Sequence, residues 1–226
     1  MSDASETTVG VLALQGDVEL HRRSLERCGV AHRAVRTLAQ IDACHGLIIP
    51  GGESSTVGIL LERYDMMAPL RQRIRGGMPV YGTCMGLIVL AEEIEGSKQP
   101  RLGVLHVAVR RNAFGRQIDS FAERGRLKLG EEVVESEMVF IRAPRIRRIG
   151  PGVEVIGTWG EEPVLVRQGR VLGATFHPEM SPQSPFPTWF VGELARSVSA
   201  SRPSPSPSRK AESAPTLDET LPRLHP

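Results

Sequence analysis

The sequence predicts an α/β fold: an open, mostly parallel, doubly wound sheet with helices on both faces and antiparallel strands added at one edge. Three observations carry this. The runs VGVLALQG (9–16), HGLIIPGGE (45–53) and PVYGTC (79–84) are almost continuously apolar, as strands buried on both faces of a parallel sheet are. Segments of helical spacing alternate with them. Beyond residue 100 the texture changes to shorter strands separated by glycine turns, which suits antiparallel additions.

The elements follow in order. VGVLALQG is a first strand stopped by glycine, and residues 18–28 have helical spacing, with Gly29 as the stop. A short strand near Ala34 and Val35 and a helix through Ile41 lead into HGLIIPGGE, a second buried strand ending in a tight glycine turn. Residues 54–75 form one or two helices ended by Gly76 and Gly77, and PVYGTC is a third buried strand. MGLIVLAEEI reads as the helix directly after it. Then come VFIRAP, VEVIGTW and PVLVRQGRVLGATF, whose QGR turn suggests a hairpin, and a last helix around residues 189–198. The expected organisation is a flexible N-terminus at 1–8, one domain at 9–198, and a Ser/Pro-rich disordered tail at 199–226.

Composition excludes several classes. The 226 residues are 40% hydrophobic and 24% charged, ordinary for one globular domain or at most two small ones. A formal charge of +2, from 28 basic and 26 acidic residues, gives no ground for a nucleic-acid partner. The arginines between Arg142 and Arg148 read as a solvated face. There is no run long enough for a membrane span, and MSDASETT lacks the regions of a secretory signal. Three cysteines, Cys28, Cys44 and Cys84, do not make a disulfide framework, so a reduced, cytoplasmic protein is expected.

The chemistry centres on YGTCMG. Gly82 and Gly86 stand two residues before and after Cys84, the spacing that lets backbones cross at a sharp strand-to-helix turn displaying a nucleophile. With 23 glycines in the chain, chance places such a pair around a cysteine about once in a hundred. Cys84 also opens a helix, where N–H groups and the dipole favour a thiolate. A base is available in HPE. In an extended segment Glu179 would reach back to one nitrogen of His177 while the other faces a thiol. The other histidines (His21, His32, His45, His106 and the C-terminal His225) read as structural or peripheral. The Met85 N–H and the glycines of PGGES supply donors for an oxyanion. Met85 itself is bulky for such a place.

The segments GVLALQG, LIIPGGESS, GTCMGL, RRNAFGRQIDSF, FIRAP and FHPE together resemble the class I (triad-type) glutamine amidotransferases, and within them the glutaminase subunits of pyridoxal 5′-phosphate synthases. The resemblance runs from residue 9 to about 198. It implies a glutaminase that hydrolyses L-glutamine through a Cys84 thioester, with His177 as acid/base and Glu179 as its orienter. It further implies glutamine binding by Gly52, Glu53, Ser54, Arg111, Ile141 and Arg142, and coupling of Gln15 to a synthase partner that receives the ammonia. No cofactor or metal is implied in this chain. Three positions depart from the family: Met85 for the usual alanine, Arg110 for a common acidic residue, and Ala113 for serine. Rival readings are an amidotransferase of another pathway such as histidine biosynthesis, a non-catalytic docking protein of the same fold, and a cysteine peptidase-like or stress-response protein. RNAFGRQ and FIRAP weigh against the first, the intact Cys84, His177 and Glu179 against the second, and PGGES with the downstream arginines against the third.

Overall fold

A computed structural model describes residues 7–111 and 120–200. The tail beyond residue 200, and Ala113 with most of RNAFGRQ, lie outside the described residues. The parallel part of the main sheet contains β1 (Thr8–Leu12), β2 (Ala31–Val35), β3 (Gly46–Ile49), β4 (Val80–Thr83) and β12 (Val171–Ala174). The antiparallel part contains β7 (Ser120–Leu129), β8 (Glu132–Ile141), β10 (Glu154–Trp159) and β11 (Glu162–Gln168). The nine strands lie in the order β2-β1-β3-β4-β12-β11-β10-β7-β8. The expected QGR hairpin is the β11–β12 pair, with Gln168 opposite Val171.

Both faces of the sheet are covered, which explains the uninterrupted hydrophobicity of its central strands. Successive side chains of a strand point to opposite faces. Leu47 and Ile49 therefore pack with α3 (Ser54–Arg63), α4 (Met67–Arg75) and α5 (Met85–Leu90), through Val57, Leu61, Leu70 and Leu87. Ile48, Val9 and Val11 face the other way, towards Leu25 of α1 (Val18–Arg27) and Phe186, Phe190 and Leu194 of α6 (Phe186–Ala200). A short α2 (Leu38–Asp42) begins with a capping box between Thr37 and Gln40.

Four features differ from expectation. The first strand starts at Thr8 and the last helix runs to Ala200, each slightly beyond the expected domain limits. MGLIVLAEEI is not one helix: α5 stops at Leu90, and Ala91–Ile94 is strand β5. Its Ala91 and Ile94 are buried while Glu92 and Glu93 are exposed. The backbone of β5 is taken up by β6 (Leu105–Arg110), which pairs on its other side with β9 (Arg145–Ile149), a separate three-stranded sheet that strand-by-strand reading missed. The expected solvated arginine face is here. Arg148 pairs with Glu93 at 2.8 Å, and Arg110 with Glu95 at 3.2 Å. No helix among the described residues is long and apolar enough to cross a membrane.

The turn from β4 into α5 is one of the tightest crossings among the described residues. A Cβ on Gly86 would lie 2.1 Å from the Ile49 carbonyl oxygen, and one on Gly82 would lie 2.5 Å from the Gly86 carbonyl carbon. Neither neighbour is a flexible side-chain end, so relief would need the buried strands to move. Gly86→Ala should cost about 3 kcal/mol, an overpacking penalty that for a domain of this size lowers Tm by about 6–12 °C. Thermal unfolding followed by circular dichroism checks this, and an unchanged Tm would contradict the crossing.

Candidate active site

The loops that follow β1, β3, β4 and β12 all leave the sheet at the carboxyl ends of its parallel strands, where open α/β sheets collect ligands. Cys84 sits at the first turn of α5 with φ 48° and ψ −100°, a conformation non-glycine residues rarely adopt. Such backbone strain costs about 1–3 kcal/mol and persists only where the surroundings impose it. Here they do: β4 is paired with β3 on one side and β12 on the other, and the Cys84 N–H donates to the Ala174 carbonyl at 2.8 Å. The sulfur lies 3.8 Å from the Ile141 carbonyl oxygen. Because α5 has only six residues, its dipole is short, and the unpaired N–H groups of its first turn matter most. The Met85 N–H is one of them. Its side chain is buried in the core while also touching the pocket, so the bulky residue is absorbed as packing.

His177 follows β12 and is fixed by its N–H, which donates to the Val139 carbonyl at 2.8 Å. Its Nδ1–H donates to Glu179 Oε1 at 2.7 Å, since a carboxylate can only accept. The contact expected from the sequence is present, but by a different geometry: Pro178–Met180 is a 3₁₀ turn, not an extended segment. The other ring nitrogen is left for the Cys84 thiol, which lines the same pocket as the imidazole. Burial alone would push the His177 pKa down. Hydrogen bonds with Cys84 and Glu179, and attraction to both, outweigh that and raise it from 6.5 to about 10. Glu179 is itself buried, which disfavours its charge, yet His21 and His177 hold its carboxyl below the ordinary value.

The pocket has a volume of about 120 Å³. It gathers Cys84, Met85 and His177 with Gly52, Glu53, Ser54, Arg111, Ile141 and Arg142. Of the residues expected from the sequence, Gln15 and Glu179 stand just behind it. Gln15 Oε1 accepts the Glu53 N–H at 2.8 Å and so ties the loop after β1 to the PGGES turn. Gly51 of that turn has no room for a side chain, as its Cβ would lie 2.5 Å from His177 Cε1. Glu53 caps α3 by accepting from Ser55, whose hydroxyl bond at 2.6 Å is the first cause of its lowered pKa, and it pairs with Arg111 at 3.1 Å. Arg111 also bonds Gln99 at 2.6 Å, so this guanidinium is already engaged. Arg142, at φ 41°, makes no side-chain hydrogen bond among the described residues. Arg110 faces away, towards Glu95, and does not line the pocket.

Three residues were missed by sequence reasoning. Asp17 and Ile88 line the pocket. His21 is 2% exposed and lies behind Glu179. The signal for His21 was available: it shares the buried stripe of α1 with Ser24 and Leu25, and a polar residue on a core-facing stripe needs a reason. Among the described residues no group of three or more His, Cys, Asp or Glu could hold a metal ion.

Comparison with known proteins places this geometry. A crystal structure described as a glutamine amidotransferase superposes with a TM-score of 0.78 at 47% identity, covering 83% of this chain and 98% of that one. The structure of PurLQS from Thermotoga maritima, at 15% identity and a TM-score of 0.64, covers 86% of this chain and 99% of that one and shares the fold alone. The fold is thus that of the class I glutamine amidotransferases. Within it the chain belongs to the SNO glutamine amidotransferase family, whose model matches residues 11–196. Its relatives include the pyridoxal 5′-phosphate synthase subunit PdxT of Pelotomaculum thermopropionicum, 48% identical over 189 residues, which cover 83% of this chain and 95% of that protein. The subunit of the same name from Thermus thermophilus is also 48% identical, over 83% of this chain and 97% of its own.

The raised His177 pKa fixes a pH dependence. The folded value lies above the unfolded 6.5, so the stability this group contributes is fully present below pH 6.5 and is lost as the pH rises towards 10. Removing the thiol removes one of the groups that raise it. In Cys84→Ala the His177 ring, followed by NMR titration, should therefore titrate at lower pH than in the parent protein. An unchanged titration would show that the thiol and the imidazole do not interact.

Proposed function

We propose that this protein is the glutaminase subunit of a pyridoxal 5′-phosphate synthase, hydrolysing L-glutamine to L-glutamate and ammonia and delivering the ammonia to a synthase partner. The observation that carries the reading is the convergence of Cys84, His177 and Glu179 at a pocket walled by charges of both signs. Relatives called pyridoxal 5′-phosphate synthase subunits, matched over most of their length, support the pathway and the partner. Three free thiols suit a reducing compartment such as the cytoplasm.

In this reading Cys84 attacks the side-chain amide carbon, and its thiol proton resides on His177. The carbonyl becomes an oxyanion facing the Met85 N–H and the PGGES turn. The imidazolium then gives its proton to the departing nitrogen, releasing ammonia and leaving a thioester. Water, deprotonated by His177, attacks the thioester, and glutamate leaves as the thiol is restored. Glu179 fixes the tautomer and plane of the ring throughout. The α-ammonium and α-carboxylate of glutamine need both signs of charge. Glu53 suits the ammonium, and Arg142, which makes no side-chain hydrogen bond among the described residues although its charge acts on Glu53, suits the carboxylate, while Arg111 steadies Glu53. Gln15, bonded to Glu53, is the element through which docking of the synthase reaches the pocket.

Glutamate release, assayed with and without a synthase subunit, tests this. Turnover should rise when the synthase is added, and equal rates would end the coupling idea. Cys84→Ala should abolish turnover while leaving the circular dichroism spectrum intact; residual turnover would remove the cysteine mechanism. Arg142→Ala should raise KM for glutamine by about 10- to 100-fold, the worth of a hydrogen bond to a charged group. A KM within twofold of the parent would assign the carboxylate elsewhere.

A further inference from the structure

His21 takes no part in the mechanism above, yet its side chain closes a circuit of contacts behind the triad. Its Nε2 lies 3.1 Å from Thr83 Oγ1 and 3.4 Å from Glu179 Oε1. Were Nε2 unprotonated, its lone pair would confront a carboxylate that can only accept, so the proton belongs on Nε2. The ring is also held edge-on against Tyr81, with centroids 6.4 Å apart at 78°. Tyr81 and Thr83 both belong to β4, the strand that presents Cys84. The path therefore runs from β4 through His21, Glu179 and His177 and returns to β4 at the thiol.

Glu179 depends on this path. Its Oε2 is buried with no hydrogen-bond partner among the described residues. Glu179 also borders a cavity of only about 10 Å³, enough for one water at most. Its side chain is thus positioned through Oε1, where His177 and His21 meet. Burial holds His21 below its ordinary pKa, although Glu179 acts the other way, so near neutral pH it serves as an uncharged donor. We propose that His21 is a positioning residue of the catalytic centre, its Nε2–H anchoring Glu179 Oε1 so that His177 is aligned on the thiol of Cys84. A merely structural histidine would contribute only to stability.

The proposal rests on the glutaminase reading, and the test separates the two. Full-length parent, His21→Leu and His21→Gln proteins are assayed for glutamine hydrolysis with the synthase present. The reaction of Cys84 with iodoacetamide is measured without it. A parent that alkylates normally but releases no glutamate refutes the glutaminase reading and leaves alkylation to decide the role of His21. His21→Leu should lower kcat about tenfold, the effect of one lost hydrogen bond to a charged group, with KM within twofold and alkylation similarly slowed. His21→Gln, whose amide N–H replaces Nε2–H, should restore most of both. Parent-like kcat and alkylation in folded His21→Leu overturn the proposal, as does a loss that His21→Gln fails to restore. If His21→Leu does not fold, His21→Met, unbranched and equally without an N–H to offer Glu179, takes its place. Slower alkylation in that variant supports the proposal, and an unchanged rate overturns it.

Discussion

A single steric constraint governs the architecture: the backbone leaving β4 crosses β3 with no room for a side chain at Gly86. The crossing forces Cys84 into its positive-φ turn, and the pairing of β4 on both sides prevents the turn from relaxing. About 1–3 kcal/mol of strain is small beside the burial of the surrounding strands, where each fully buried Leu or Ile contributes about 1.5–3 kcal/mol. Leu47, Ile49, Leu87 and Val80 are all fully buried around it. The strain is therefore sustained by packing, and the thiol is held where the sheet ends and the pocket begins.

Electrostatics completes what sterics begins. An isolated carboxylate as buried as Glu179 would cost several kcal/mol, and an isolated imidazolium would fare no better. Each is tolerable because opposite charge is close: the two groups are 2.7 Å apart, and His21 on one side and Cys84 on the other add to the pairing. The same hydrogen bond fixes the plane of the imidazole. The outer wall is more polar and more open, with Arg111 and Glu53 steadying one another.

Much of this was legible in the sequence where the cause was local. The glycines of GTCMG, the apolar runs of the parallel strands and the HPE triplet carry their meaning within a few residues. Where the cause was distant, reading along the chain faltered. MGLIVLAEEI keeps helical hydrophobicity to Ile94, but pairing with β6 draws Ala91–Ile94 into a strand. His177 and Glu179 were paired correctly for the wrong reason, because the 3₁₀ turn after Pro178 shortens the path between them. His21 was passed over because its partners, Thr83 and Glu179, lie 62 and about 160 residues away. Arg111, expected among the glutamine-binding residues, bonds Glu53 and Gln99, partners 58 and 12 residues away that no local pattern announces.

The place of β12 in the sheet has a consequence for the chain as it is being made. Among the described strands this one comes last in the chain, yet it lies in the middle of the sheet, between β4 and β11. Until Val171–Ala174 is inserted, β4 has one open edge, and His177, which follows β12, has not reached the pocket of Cys84. Because Cys84 precedes His177 in the chain, a nascent chain carries the thiol before it carries the imidazole. Completion of the sheet and the meeting of Cys84 with His177 and Glu179 are the same event. A chain interrupted before β12 is thereby left with Cys84 lacking its histidine and β4 with an exposed edge, ready to pair with another chain.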